Sequence, residues 1–182
     1  MMKLSNINSK FHRLRKIMII LLTFLPISGC GYHFSPGGEY INKEIRTVFV
    51  DNFPNRTSEA NVEITFRTAF IDQFVTGGRF KIVDSREKAD ALFKGSIDKL
   101  IVSPISYQAS NLAAEERVTV TMDLHFEEKG TQKIIWTYKN YSGYRDYRVT
   151  DVNLKETNRK DALTRLSVDT AERAYRLMMS GF

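Results

Sequence analysis

The sequence predicts an α+β fold, a two-layer sandwich with two helices packed on one face of a roughly four-stranded mixed sheet. Three observations predict it. Residues 117–127 alternate apolar and polar without a break, the period of a half-buried strand. Val62, Phe66, Ala69, Phe70 and Phe74 repeat at the helical period, and Leu163, Leu166, Ala171, Ala174, Leu177 and Met178 do so again near the end of the chain. Between these helical patterns lie only strand-like segments, so the order is strand, helix, strands, helix.

The first strand runs from Ile45 to Val50, with apolar residues on both faces near its end. Asn52-Phe53-Pro54-Asn55 turns the chain, and Thr57 or Ser58 is placed to cap the first helix. Glu59 and Glu63 fall in its opening turns, where carboxylates oppose the helix dipole, and Gly77-Gly78 supplies its stop. Ile64, Ile71 and Val75 lie opposite the main stripe, where either contact with the C-terminal helix or a docked partner protein would cover them.

Phe80 to Val83 forms a short strand, and Ala91 to Val102 a longer one with a bend at Gly95. Pro104 to Glu116 reads as a loop of about a dozen residues, long enough to suggest function. In the strand from Arg117 to Glu127, Val118, Val120, Met122, Leu124 and Phe126 take the core face. Lys129-Gly130-Thr131 turns the chain into a hairpin partner, Lys133 to Tyr141, and the last helix spans Thr157 to Met179.

The N-terminus is organised differently. Lys3, Lys10, Arg13, Arg15 and Lys16 precede an apolar run, Ile17 to Leu25, which is far short of the ~20 residues that span a bilayer. Pro26 breaks the run before Ile27-Ser28-Gly29-Cys30, which has the form of a lipobox. Residues 1–29 thus read as a lipoprotein signal peptide cleaved between Gly29 and Cys30. Cys30, the only cysteine, would carry a diacylglycerol and an N-acyl chain such as palmitate on the mature N-terminus. Gly31, where aspartate would favour inner-membrane retention, points to the periplasmic side of the outer membrane. Residues 30–42, with Ser35-Pro36-Gly37-Gly38, form a short lipidated tether, and residues 43–182 a single domain.

The net charge of +6 belongs mostly to the leader. Its five basic residues, with no acidic one among them, leave about +1 for the mature chain. Nucleic acid is therefore not an expected partner. With Cys30 acylated, no thiol remains for a disulfide or for nucleophilic catalysis. His12 lies in the leader, His33 in the tether, and His125 stands alone on a polar strand face. Glu115-Glu116 and Glu127-Glu128 border loops, where paired carboxylates are solvated. No metal spacing, hydrolase elbow or phosphate loop is present, so no enzyme, metal or cofactor is expected.

Several segments in order resemble the LptE family of outer-membrane lipopolysaccharide-assembly lipoproteins. They are Cys30-Gly31-Tyr32-His33-Phe34, Asn55-Arg56-Thr57, Gly78-Arg79-Phe80, Val83-Asp84, Ala89 to Gly95, the strand from Arg117, Gly130-Thr131, Trp136, Ala162-Leu163 and Ala174. The resemblance implies a non-enzymatic protein that plugs an LptD-type β-barrel and binds lipopolysaccharide. Phosphates on an acylated disaccharide attract Lys and Arg. Arg117, then Lys94 and Lys99, are the candidate contacts chosen from the residues. Tyr138, Tyr141, Tyr144 and Tyr147, interleaved with Lys139, Arg145 and Arg148, either form a strand end and loop with partly buried rings or offer an amphipathic surface for a barrel wall or glycolipid. The competing class is a periplasmic lipoprotein regulator of a cell-wall synthase, which needs a longer tether than residues 31–42 provide.

Overall fold

The computed structural model describes residues 38–107, 113–149, 151 and 153–182; the leader, Cys30 and the tether as far as residue 37 lie outside the described residues. The elements in order are β1 (Thr47–Val50), α1 (Val62–Gly77), β2 (Lys81–Ile82), a 3-10 turn at Arg86–Lys88, β3 (Ala91–Tyr107), β4 (Ala113–Glu128), β5 (Ile134–Arg148) and α2 (Lys155–Ser180). The sheet is mixed, in the order β2-β1-β3-β4-β5. It has five strands rather than roughly four, because the two residues of β2 join its edge by parallel pairing to β1. That strand falls inside the Phe80 to Val83 segment read as a short strand from the sequence. β1 also runs parallel to β3, whereas β3, β4 and β5 form an antiparallel meander.

The expected α1 stripe is the buried one: Val62, Phe66, Ala69, Phe70 and Phe74. So is the expected face of β4, where Val118, Val120, Met122, Leu124 and Phe126 are excluded from water while the alternate residues are half-exposed. These two rows and the apolar side of α2 belong to one hydrophobic core. Within it α1 touches β1 and β2, α2 touches β4 and β5, and the two helices touch each other.

The helix–helix contact differs from expectation. Ile64 and Val75 are exposed at 59% and 61%, and only Ile71 packs against the core. The contact is made instead by Phe74, whose ring meets that of Tyr175 edge-on at 5.2 Å, and by Gly77. A Cβ on Gly77 would lie 2.4 Å from the Tyr175 hydroxyl, so glycine lets the helices approach there. The cap also differs. Thr57 Oγ1 accepts from the Glu59 amide at 3.2 Å, and α1 begins only at Val62, after Asn61 in the left-handed region at φ 63°. Gly78, at φ 65°, ends it as expected, its amide bonding the Val75 carbonyl at 3.2 Å.

Gly95 marks close packing rather than a bend: a Cβ there would meet the Phe53 ring at 3.0 Å and Leu124 at 3.1 Å. The irregularity in β3 comes three residues later, at Asp98, where the register with β4 shifts. The body also begins earlier than residue 43. Ile41 is buried, the Gly38 amide bonds the Met179 carbonyl at 2.5 Å, and the Tyr40 hydroxyl donates to the Met178 carbonyl. Residues 38–42 are thereby fastened to the end of α2 instead of belonging to a free tether. No helix among the described residues is long and apolar enough to cross a membrane.

Candidate functional site

The stretch read as a loop from Pro104 to Glu116 is strand on both sides: β3 continues to Tyr107 and β4 starts at Ala113. Register pairs run from Val102↔Val118 to Tyr107↔Ala113, so the two strands form one long hairpin. Its 17-residue β3 would extend about 56 Å. The 26 residues of α2 reach only about 39 Å. The hairpin therefore outruns its helical cover. Val118 is fully buried, yet its partner Val102 is 36% exposed, and Ile101, Ile105 and Tyr107 stand at 43%, 41% and 64%. Val102 lies on the face of the buried row and Ile101 on the opposite face, so the projecting segment carries exposed apolar side chains on both sides, a feature that marks an interaction surface.

A polar cluster centred on buried Glu116 joins the hairpin to α2. Glu116 shares the phase of Val118 and Val120, so it points into the core rather than into solvent as its place beside a supposed loop suggested. It accepts hydrogen bonds from the Tyr147 hydroxyl at 2.6 Å and from Lys155 Nζ at 2.8 Å. Arg159, one turn along α2 from Lys155, bonds Glu59 at 2.5 Å and Glu156 at 2.9 Å. Burial, the largest influence on Glu116, pushes its carboxyl up; the bonds from Lys155 and Tyr147 and the charges of Lys155 and Arg159 more than offset it. The net result is a carboxyl held below its ordinary value. Burial, then the bond to Glu116, raises the Tyr147 phenol well above its usual range. The signal for this cluster was available: strand parity alone puts Glu116 on the core face.

The sign of the Glu116 shift fixes a pH dependence. A carboxylate depressed in the folded state adds stability above its ordinary value of 4.5, and that stability is lost as pH falls through the folded value. Glu116→Gln is therefore expected to be less stable than wild type at pH 7. The two should converge in acid. Denaturant midpoints measured between pH 7 and pH 2 check this.

The three predicted lipopolysaccharide contacts all lie on the sheet face opposite the buried row, but they do not cluster. Lys94 is opposite His125, Lys99 opposite Thr121, and Arg117 opposite Ser103. Eight steps along β4, from Arg117 to His125, thus separate the outer two, about 26 Å, with Lys99 midway. Arg117 makes a two-pronged bond to Asp146 at 2.7 and 2.9 Å, and its guanidinium sits 4.1 Å from the centre of the Tyr144 ring. Lys94 pairs with Glu127. Lys99 has no ion pair among the described residues. Of the four tyrosines, Tyr141 and Tyr147 are buried, while Tyr138 and Tyr144 are exposed. A bulge at Asn140, φ 54°, separates Tyr138 from the rest.

Between Lys94 and β5 the same face holds an open groove of about 460 Å³, lined by Asp51, Arg56, Lys94, Ser96, His125 and Lys139 among others. His125 lies 3.8 Å from Glu127, and partial burial lowers its pKa below the ordinary value. Among the described residues no group of three or more His, Asp or Glu could hold a metal ion.

The described fold has relatives of known structure. A lipoprotein from Caulobacter crescentus superposes with a TM-score of 0.51 at 10% identity, covering 76% of this chain and 89% of its own. Rare lipoprotein B from Shewanella oneidensis gives 0.50 at 15% identity, with 74% and 95% covered. A hypothetical protein from Chlamydia trachomatis gives 0.50 at 6% identity, with 75% and 98% covered. At such identities the likeness shows the fold alone. No functionally curated protein matches the sequence. The family comparison is more specific, because the LptE family profile, described as lipopolysaccharide-assembly, matches residues 45–178, from the approach to β1 through almost all of α2. That match covers more than half of the sequence, and the chain belongs to the LptE family of lipopolysaccharide-assembly lipoproteins.

Proposed function

We propose that this protein is acylated at Cys30, is held on the periplasmic side of the outer membrane, and seats inside an LptD-type β-barrel, where it binds lipopolysaccharide. The observation that carries the reading is the projecting β3–β4 hairpin with Ile101, Val102, Ile105 and Tyr107 in solvent. Apolar residues on a segment that outruns its own helices fit the wall of an enclosing partner. In this reading both helices cover one sheet face as a two-layer sandwich, and the opposite face meets the ligand. With Gly38 tied to Met179, at most seven residues, 31–37, separate Cys30 from the packed body. Fully extended, the eight steps from Cys30 to Gly38 span about 28 Å, which keeps the domain near the bilayer.

Arg117, Lys94 and Lys99 are the proposed contacts for the lipopolysaccharide phosphates. Lys99 is free to bind as it stands; Arg117 and Lys94 must share or exchange Asp146 and Glu127. The test replaces all three with glutamate and measures lipopolysaccharide affinity beside recovery of a barrel from detergent-solubilised outer membranes. Ligand affinity is expected to fall at least tenfold, given about 1.5–3 kcal/mol for each charged contact, with the barrel still recovered. Unchanged affinity removes these contacts, and failure of wild type to bring down any outer-membrane barrel overturns the reading as a whole.

A further inference from the structure

We propose that the free edge of β5 between Tyr141 and Arg148 is a docking strip for an extended acidic segment of a partner protein, which adds to the sheet as a sixth strand. This goes beyond barrel seating and lipopolysaccharide binding, and uses backbone groups that neither requires. Among the described residues β5 ends the sheet, with β4 its one neighbouring strand. One contact sets the phase of its hydrogen bonds: the Val149 amide donates toward β4, to the Ala114 carbonyl, at 2.9 Å. Amide direction alternates along an antiparallel strand, so Tyr147, Arg145, Gly143 and Tyr141 also face β4. Ser142, Tyr144, Asp146 and Arg148 face outward. The Arg148 carbonyl accepts from the side-chain amide of Asn158 at 3.0 Å, in agreement with that phase. Among the described residues, the outward backbone groups of Ser142, Tyr144 and Asp146 meet no partner.

Long free edges are ordinarily blunted by proline, a bulge or a covering element. The bulge at Asn140 interrupts the earlier part of β5, but from Met122↔Tyr141 to Glu115↔Arg148 the register is unbroken. That gives an eight-residue template. Beside it, the edge and α2 enclose two adjoining grooves of about 370 and 430 Å³ that share Arg145 and Asp146.

The charge of the strip selects its occupant. Arg145 is paired with Asp169 at 2.6 Å, and Asp146 with Arg117. Arg165 and Arg173 line the grooves with no ion pair among the described residues, and Arg148 reaches Glu115 only at 3.9 Å. Asp161 is the acidic lining residue left unpaired, so the cations predominate. At the groove floor Thr170, only 2% exposed, has a hydroxyl with no hydrogen-bond partner, facing the bare Cα of Gly143. Added strands take affinity from main-chain bonds and specificity from the side chains beside them. A second copy of this chain would bring two positive strips together, whereas alternating carboxylates meet Arg165 and Arg173.

The full-length chain in detergent micelles is titrated with a dye-labelled peptide alternating valine and glutamate, and with its valine–lysine counterpart. The acidic peptide is expected to bind, more weakly as salt rises, and to protect the amides of Ser142, Tyr144 and Asp146 from hydrogen exchange. Arg165→Glu with Arg173→Glu should weaken it about tenfold. Tyr144→Pro should abolish binding, since proline removes an outward amide that the native sheet does not use. Absence of binding, equal binding of the lysine peptide, or protection confined to other amides overturns the proposal. So does a concentration-dependent dimer that Tyr144→Pro dissolves, because the edge would then pair with itself. If Tyr144→Pro does not fold, exchange protection in the wild type decides alone.

Discussion

Phe74→Ala is expected to destabilise the domain by about 4 kcal/mol, near the upper end for a buried aromatic. The ring is almost fully buried, and it meets Phe93 at 5.1 Å, Tyr175 at 5.2 Å, Phe80 at 6.0 Å and Phe126 at 6.4 Å. Those partners come from β3, α2, the approach to β2, and β4, so one side chain ties α1 to four other parts of the fold. The cavity left by alanine has little means of collapse, because Phe93 and Phe126 are fixed in paired strands at Phe93↔Phe126. Val75 is the internal control. It follows Phe74 on the same helix but is exposed, so Val75→Ala should change stability by less than about 0.5 kcal/mol. Denaturant midpoints of both variants check the helix phase directly. A loss of under about 1 kcal/mol for Phe74→Ala would mean that the helix is turned away from the sheet.

That phase was legible in the sequence because five apolar residues repeat at one period, and β4 was legible for the same reason. Elements whose determinants are distant were not. Pro104 to Glu116 reads as a loop, and its first residue cannot donate to a ladder. Beyond Val50 and the bridge at Asn55↔Ile97, however, β3 has β4 alone beside it among the described residues, and proline is tolerated in a strand with one open side. Gly95 suggested a bend, but its reason is the ring of Phe53, more than forty residues earlier in the chain. Ile64 and Val75 suggested a second packed face, yet the helices meet through Gly77 and Tyr175, a contact of one absent side chain with one large one. Glu116 was misjudged differently. The local rule that paired carboxylates are solvated lost to strand parity, which aims this residue at Tyr147 and Lys155. For the proposed ligand contacts, residue type was legible but spacing was not, since Lys94 and Arg117 become far apart only when β3 is paired with β4 along its length.

Ile101→Asp combined with Ile105→Asp is expected to abolish recovery of the barrel while leaving the fold intact. Both side chains are more than two-fifths exposed in the isolated protein and neither belongs to its hydrophobic core, so the core survives their replacement. Ile101 lies opposite Thr119, on the face away from the buried row, and Ile105 sits where the register shifts between Pro104 and Ser106. The effect should therefore appear only when a partner covers the hairpin. Burying the rest of two isoleucines is worth about 3 kcal/mol in total, and losing that alone weakens association more than a hundredfold. Two carboxylates in an apolar contact weaken it further. The measurement is recovery of the barrel from detergent-solubilised outer membranes, set beside the melting temperature of the isolated variant. An unchanged melting temperature with the barrel lost supports the hairpin as the seating surface, while an unchanged yield of barrel moves that surface elsewhere on the domain. Charge reversal at Arg117, Lys94 and Lys99 should give the opposite pattern, with ligand affinity lost and barrel retained. The hairpin protrudes past the helices and the basic residues line an open sheet face, so the two activities have separate physical causes and should be separable in single proteins.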